Sequence, residues 1–493
     1  MAFELLCYVA LAFIALYYYF TAKFNFWKDQ SVRGPKPIPV FGNIFWQMIG
    51  KISIAEYLQK LHNEYKDEPM IGIFVRRTPY LIIQDPELIK DVLIKDFSKF
   101  ANRGFLKQEI AEPLSQHLFS LEVERWRPLR MHLSPVFTSG KLKGMFSLIF
   151  ECAKRIESNL DILIAKGEPV EVRELAGRYT TDVIGSCAFG IEMNSFSDKE
   201  SEFRRMGKEI FATHWKGSCT DLLGYILPPD KVNVFIERIT IETLNYRKEH
   251  NIVRHDFMNT LLELRNNPEK IKDIRSFLSE LTDTLLAAQA LVFFAAGFET
   301  SSTTISNALY ELALNQEIQK KLREEIKEFY EKNAGDWKYE TIKQMSYLDK
   351  VFKETLRKYP PLTFISREAT DNYTFSNTKV SLQKSMRVWI PVFSIHRDPN
   401  IYSDPDKFDP ERFSKEAVDA RHPMHYLPFG HGPRNCIGER FAIYQTKIGL
   451  IKILHNYEVH VCEKTPIPYE LNPFAFVICP KGGLYLNIIK SKN

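Results

Sequence analysis

The sequence predicts a mainly α-helical protein with small β-sheets: a single large domain at residues 44–493, an N-terminal anchor helix at 1–22, and a basic, proline-rich hinge at 23–43. Three observations carry this. Apolar residues recur at helical spacing over long stretches, short runs of strand character between turn residues are few, and the chain opens on an almost unbroken apolar run. After residue 50 no Pro/Gly/Ser-rich linker, charge block or repeat divides the remainder, so one domain is the simplest organisation.

From Leu5 to Phe20 every residue is apolar or tyrosine, and Ala2 to Ala22 supplies the roughly 20 residues that a bilayer-spanning helix needs. Glu4 stands where a cleaved signal peptide would carry cations, whereas Lys23, Lys28, Arg33 and Lys36 follow the run. That asymmetry points to a retained anchor, rather than a signal peptide or a buried core helix, with the following domain in the cytosol. Tyr17, Tyr18, Tyr19 and Trp27 suit the headgroup region. The prolines of Gly34 to Asn43 bar helix and make a stiff spacer.

Ile52 to Tyr65 has helical spacing, then Met70 to Val75 and Tyr80 to Gln84 read as a hairpin turning near Arg77-Thr78-Pro79. Helices are expected at about Glu122–Leu133, Leu142–Ala165, Ser201–Thr213, Leu278–Leu314, Ile318–Lys332, Leu348–Lys358 and Ile437–His455. Arg387–Pro391 and Leu484–Ile489 look like small strands.

Hydrophobic residues make up 45% and charged residues 26%, which argues against disorder. The net charge of +5 is spread along the chain, without the basic stripe of a nucleic-acid binder. The seven cysteines, Cys7, Cys152, Cys187, Cys219, Cys436, Cys462 and Cys479, lie too far apart for a disulfide framework and fit a reducing compartment.

Cys436 lies in Phe429-Gly430-His431-Gly432-Pro433-Arg434-Asn435-Cys436-Ile437-Gly438, the pattern FxxGxRxCxG, just before a predicted helix. Five such fixed positions should arise by chance in a chain this long only about once in ten thousand. A thiolate ahead of a helix N-terminus meets oriented N–H groups and the positive end of the dipole, which favour its anionic form. Gly432 suits a tight turn.

This segment resembles the haem loop of cytochrome P-450. The resemblance implies haem b with Cys436 as axial thiolate, Arg434 on a propionate, Phe429 screening the sulfur and Gly438 leaving room for the porphyrin. Thiolate ligation favours O–O cleavage and thus oxygen activation.

Other motifs appear in the family's order. Glu354-Thr355-Leu356-Arg357 is an ExxR, a spacing shared with Glu122/Arg125, Glu124/Arg127 and Glu202/Arg205, so alone it reads as a solvated helical pair. About 55 residues on, Asp409-Pro410-Glu411-Arg412-Phe413 resembles the family's PERF element, which implies a structural Glu354, Arg357 and Arg412 network. Trp126 and Arg130, four apart on one helical face, match the WxxxR that grips a propionate. Arg103 and Arg367 sit where related enzymes place further propionate arginines. Ala295-Ala296-Gly297-Phe298-Glu299-Thr300 matches AGxET and is expected to interrupt its helix, opening a polar groove in which Glu299 and Thr300 hold water and deliver protons. Read alone, each of these is an ordinary core or surface residue. The anchor, Ser134 to Leu142 and Phe298 to Thr304 are most similar to insect microsomal enzymes of the sixth family. The hinge departs from the family, with Val32-Arg33-Gly34-Pro35 in place of a doubled proline before glycine.

The resemblance implies a monooxygenase of the endoplasmic reticulum membrane, facing the cytosol, that uses O2 on a small lipophilic substrate. No GxGxxG fingerprint or flavin module appears. Electrons are expected from an NADPH-dependent cytochrome reductase, with a cytochrome b-type protein as a further donor, docking near Arg125, Arg127, Arg440 and Lys447. Phe105, Phe119, Val292, Ala295, Ala296, Leu362 and Phe476 are expected in the substrate pocket by position in related enzymes. A haem-thiolate isomerase or dehydratase, and a non-catalytic haem sensor or carrier, are the alternatives; neither needs the acid–alcohol pair.

Overall fold

The structure, a computed structural model, describes residues 1–104, 112–197, 201–211, 231–254, 256–267 and 282–491. Phe105, Cys219 and the expected helical residues 212–213 and 278–281 lie outside these. The chain forms two compact units, the first of Met1–Gly104, Leu362–Ser403 and Arg421–Asn435, the second of Phe105–Pro361, Asp404–Ala420 and Cys436–Asn493. The strands of the described residues are, in chain order, β1 (Met70–Val75), β2 (Thr78–Ile83), β3 (Val170–Glu171), β4 (Ile365–Glu368), β5 (Tyr373–Thr374), β6 (Ser381–Leu382), β7 (Arg387–Ile390), β8 (Tyr457–His460) and β9 (Tyr485–Lys490).

The first unit is built on a four-stranded sheet in the order β1-β2-β7-β4, with β5 and β6 paired beside it. Strand periodicity explains its burial. Ile71, Ile73, Tyr80 and Ile82 face one apolar cluster with Leu58 and Leu61, while Met70, Phe74, Leu81 and Ile83 face another with Leu93 and Val388. The hairpin turns at Arg76 and Arg77, earlier than expected, and Pro79 lies in β2 opposite Phe74. The parallel pairing of β2 with β7 involves Tyr80, Leu81 and Ile82, so Pro79 owes that neighbour no N–H.

The Ala2–Thr21 helix buries none of its residues and has a mean hydropathy of 1.8, long and apolar enough to cross a membrane. The proline-rich segment after it is stitched to β1. Trp27 is buried and donates from Nε1 to the Ile73 carbonyl at 3.0 Å. Asn43 donates to the Pro35 carbonyl and accepts from the Phe74 N–H. Gly72 is required for this approach, since an added Cβ would lie 2.4 Å from the Trp27 ring.

In the second unit the Asp283–Leu314 helix, capped by the Thr282 side chain, is largely buried. It packs on the Val172–Ile184 helix at Gly297, where an added Cβ would lie 2.2 Å from Ile184, and Thr180 donates to the Phe298 carbonyl. The expected interruption at Ala295 to Thr300 is absent: the backbone stays helical throughout. The small residue there serves close helix packing, and the hydroxyls of Thr300 and Thr304 bond back to carbonyls four residues earlier without taking any residue out of the ladder. β3, β9 and β8 form a three-stranded sheet in this unit.

Candidate functional site

In the first unit the cysteine loop ends at Asn435. Gly432 has φ +74°, and an added Cβ would lie 2.0 Å from the Leu93 carbonyl oxygen, so turn and packing both demand glycine. Phe429 is half-buried and Arg434 fully buried. Arg103 donates from Nη2 to the Arg434 carbonyl at 2.9 Å, and its own carbonyl accepts from Ser366 Oγ. Arg367, on β4, is 1% exposed. Burial, reinforced by the Arg103 charge, pushes its guanidinium down to about 9. Nη1 donates to the Ser366 carbonyl, but buried Nε has no hydrogen-bond partner among the described residues. A buried cation beside another cation is costly unless an anion joins them. Arg103, Arg367 and Arg434 thus come together here in chemistry that fits a carboxylate such as a haem propionate.

In the second unit Cys436 is exposed and precedes the Glu439–Asn456 helix, whose N-cap is Gly438. That helix starts two residues later than expected, which leaves the sulfur ahead of the cap. An added Cβ at Gly438 would meet only Phe137, at an ordinary 3.7 Å, so no described protein atom requires glycine; space for a porphyrin would. Trp126 is buried on the Val123–Leu133 helix, and Arg130 is half-buried one turn on. Burial lowers the Arg130 guanidinium's pKa, and the negative charge of Cys436 opposes that shift. Cation and sulfur therefore share a field.

Glu354, Arg357 and Arg412 are brought together. The first two are fully buried, with Arg357 Nε 2.7 Å and Nη2 2.8 Å from the carboxylate, and Arg412 Nε lies 3.5 Å from it. The Asp409 N–H donates to Glu354, Arg357 Nη2 to the Lys407 carbonyl and Arg412 Nη2 to the Asp404 carbonyl. Arg205 and Glu202 share the spacing yet are exposed and 3.6 Å apart.

Glu299 and Thr300, consecutive in their helix, make different contacts. Thr300 is half-buried, shares its face with Ala296 and Val292, and donates to the Ala296 carbonyl at 2.7 Å. Glu299 is buried and ion-paired with Arg173, whose pKa burial lowers but the Glu299 charge and hydrogen bond, with Cys479 and Glu171, together raise by more. Their pair borders a polar cavity of about 290 Å³, with Glu171, Glu174, Arg204 and Phe476 also in its wall. Arg173 was not foreseeable: it stands 126 residues from its partner, and no motif marks it. Of the expected pocket residues, Phe119 and Phe476 meet edge to face at 6.4 Å, Val292 and Ala295 are half-buried, Ala296 is exposed, and Leu362 is half-buried in the first unit.

Among the expected docking cations, Lys447 needs correction. It is buried and held 2.6 Å from Asp349, so it cannot meet a partner protein. Arg127 and Arg440 are exposed, while Arg125 donates to Gln116.

The cytochrome P-450 family model matches residues 32–487. Probable cytochrome P-450 6a14 of Drosophila melanogaster is 41% identical over 94% of this chain and 95% of its own length. Cytochrome P-450 6A1 of Musca domestica is 41% identical over 97% and 96%, and cytochrome P-450 6a2 of Drosophila melanogaster 38% over 98% and 99%. With a family match across nearly the whole chain and full-length insect relatives, the protein belongs to the cytochrome P-450 family, monooxygenases that hold haem b by an axial cysteine thiolate.

Proposed function

We propose that this monooxygenase hydroxylates or epoxidises a small lipophilic molecule, either a xenobiotic such as a plant toxin or insecticide or an endogenous hormone or lipid. Its electrons come from an NADPH-dependent cytochrome reductase, with a cytochrome b-type protein as a further donor. In this reading Ala2–Thr21 spans the endoplasmic reticulum membrane and the domain faces the cytosol, in keeping with the cations after the helix. Haem, when bound, supplies the iron that activates oxygen.

Cys436 would hold the haem. The observation that carries this is its place ahead of the Glu439–Asn456 helix with the Arg130 guanidinium in its field, an arrangement that stabilises a thiolate. Arg103, Arg367 and Arg434, and separately Trp126 and Arg130, are the proposed propionate partners. Thr300 would position a water by turning its hydroxyl from the Ala296 carbonyl. Glu299, ionised while paired with Arg173, would take a proton from water on leaving that partner and hand it on, so the acid works by exchanging partners.

The test is reconstitution with reductase, measuring NADPH oxidation and product across plant toxins, insecticides, terpenoids and fatty acids. Substrate-dependent NADPH use with oxygenated product is expected. Product without NADPH would mean rearrangement, and binding without product a carrier.

A further inference from the structure

In the second unit the Asp283–Leu314 helix holds a distant stretch of chain through a buried amide. Asn307 is 1% exposed, beside Ile305, Ala308 and Leu309, all of them buried, where an unpaired amide would be costly. Its Nδ2 donates to the Thr303 carbonyl at 2.9 Å, which fixes the orientation of the amide and presents Oδ1 as an acceptor. That oxygen receives the Tyr469 hydroxyl at 2.6 Å, across 162 residues of chain. The Tyr469 ring also meets Tyr310 edge to face at 5.3 Å and stacks on Tyr359 at 5.7 Å.

Tyr469 stands at the base of a hairpin. Leu471 and Pro480 form an antiparallel bridge, the Asn472 N–H donates to the Cys479 carbonyl, the Lys481 N–H to the Glu470 carbonyl, and the Ile478 N–H to the Pro361 carbonyl. The tip carries Phe476, 54% exposed, in contact with Phe119. Phe476, Val477 and Cys479 share the wall of the polar cavity with Glu299 and Ser302 of the helix. Helix and hairpin therefore meet at Asn307 and again around the cavity at Glu299, eight residues and about 12 Å earlier on the helix. A base fixed at Asn307 sets where the tip stands relative to Glu299. Neither Asn307 nor Tyr469 borders the cavity, so any effect they have runs through the hairpin.

We propose that Tyr469 and Asn307 are positioning residues for substrate. Their hydrogen bond clamps the base of the 470–481 hairpin to the helix that carries Glu299 and Thr300, and so holds Phe476 as a fixed aromatic wall against which ring-bearing substrates lie. This rests on the reading of Phe476 as a pocket residue. Tyr469→Phe is the fitting perturbation, since it keeps both ring contacts and deletes only the hydroxyl that Asn307 Oδ1 accepts.

The test uses the full-length holoenzyme and two ligands of ferric haem that need no turnover, imidazole and 4-phenylimidazole, titrated by absorbance, with amide hydrogen exchange of residues 470–481 in parallel. Tyr469→Phe should speed exchange in that segment and raise the Kd of 4-phenylimidazole relative to that of imidazole, each by about 2- to 10-fold, the range that one lost hydrogen bond gives. Asn307→Ala should do the same, and the double variant should go no further than Asn307→Ala alone, because the hydroxyl acts through the amide. Phe476→Ala should move the ligand ratio in the same direction. Tyr402→Phe, which deletes a hydroxyl bond to the His425 carbonyl in the first unit, should move neither readout. Unchanged exchange in Tyr469→Phe, or a ligand ratio that Phe476→Ala moves and Tyr469→Phe does not, would overturn the proposal. So would a Tyr402→Phe that moves the ratio as far, since the effect would then be one of general stability. If Phe476→Ala leaves the ratio where it was, the pocket reading of Phe476 fails instead.

Discussion

Arg367 shows how a single buried charge can be kept for a ligand. Without an anion beside it, its guanidinium is held down to about 9 by burial and Arg103, far below the ordinary guanidinium value. Replacing it should therefore help the haem-free protein and harm the holoprotein. Arg367→Met is expected to raise the stability of the haem-free form to urea by about 1 to 4 kcal/mol, while weakening haem retention. Urea unfolding and haem transfer to an acceptor measure the two sides, and a variant destabilised in the haem-free form would contradict the role. Glu174, in the wall of the Glu299 cavity, shows the opposite balance: burial raises its pKa, but Arg204, Arg178 and Lys208 outweigh this and hold it at about 2. A carboxylate depressed in the fold contributes stability that is full above pH 4.5 and is lost as pH falls toward 2. Glu174→Gln should flatten that acid limb in a pH series of unfolding midpoints. An unchanged slope would mean that those cations do not stabilise the folded carboxylate. Thr300→Ala keeps the apolar face of its helix and should leave haem content intact. Because a positioned proton donor is worth about 100-fold or more, product per NADPH should fall while hydrogen peroxide rises. Unchanged coupling would return Thr300 to its bond with the Ala296 carbonyl.

At the scale of elements, the proline-rich segment is held as firmly as a strand. Trp27 fills the space left by the absent Gly72 side chain and hydrogen-bonds to Ile73, so removing the indole opens a cavity against the sheet. Trp27→Ala should cost about 3 to 5 kcal/mol, and urea denaturation should detect it even when residues 2–22 are absent. Equal stability in wild type and variant would mean that the segment only rests on β1. Nothing in the sequence announced this attachment, because proline and glycine specify a backbone path but not what it lies against. The ExxR motif teaches the same lesson from the other side. Glu202 and Arg205 have the spacing of Glu354 and Arg357, and only burial, together with the arrival of Arg412 and the Asp409 N–H, separates a structural network from a solvated pair. Spacing reports which residues share a helical face, and burial is decided by the rest of the chain.

For the whole molecule, helical periodicity placed most of the long elements to within a few residues, because apolar faces that must be buried repeat every 3.6 residues in the sequence itself, but the helices Val172–Ile184 and Lys231–Glu249 were missed. The cysteine loop was legible for a related reason: its glycines and cysteine are local requirements, as Gly432 against the Leu93 carbonyl shows. Arg173 and the polar cavity were not legible, since an ion pair across 126 residues depends on how two helices pack. The same dependence misdirected the reading of Ala295 to Thr300, where Gly297 makes room for Ile184 rather than breaking the helix. It also hid the burial of Lys447 on Asp349. The haem site turns on one sulfur, and the carbon monoxide difference spectrum of the reduced protein tests that ligand most directly. Wild type should show the strongly red-shifted band that an anionic sulfur ligand gives, and Cys436→His should lose it while still binding haem. If Cys436→His kept that band, another residue would be the ligand and the site built around Cys436 would be wrong.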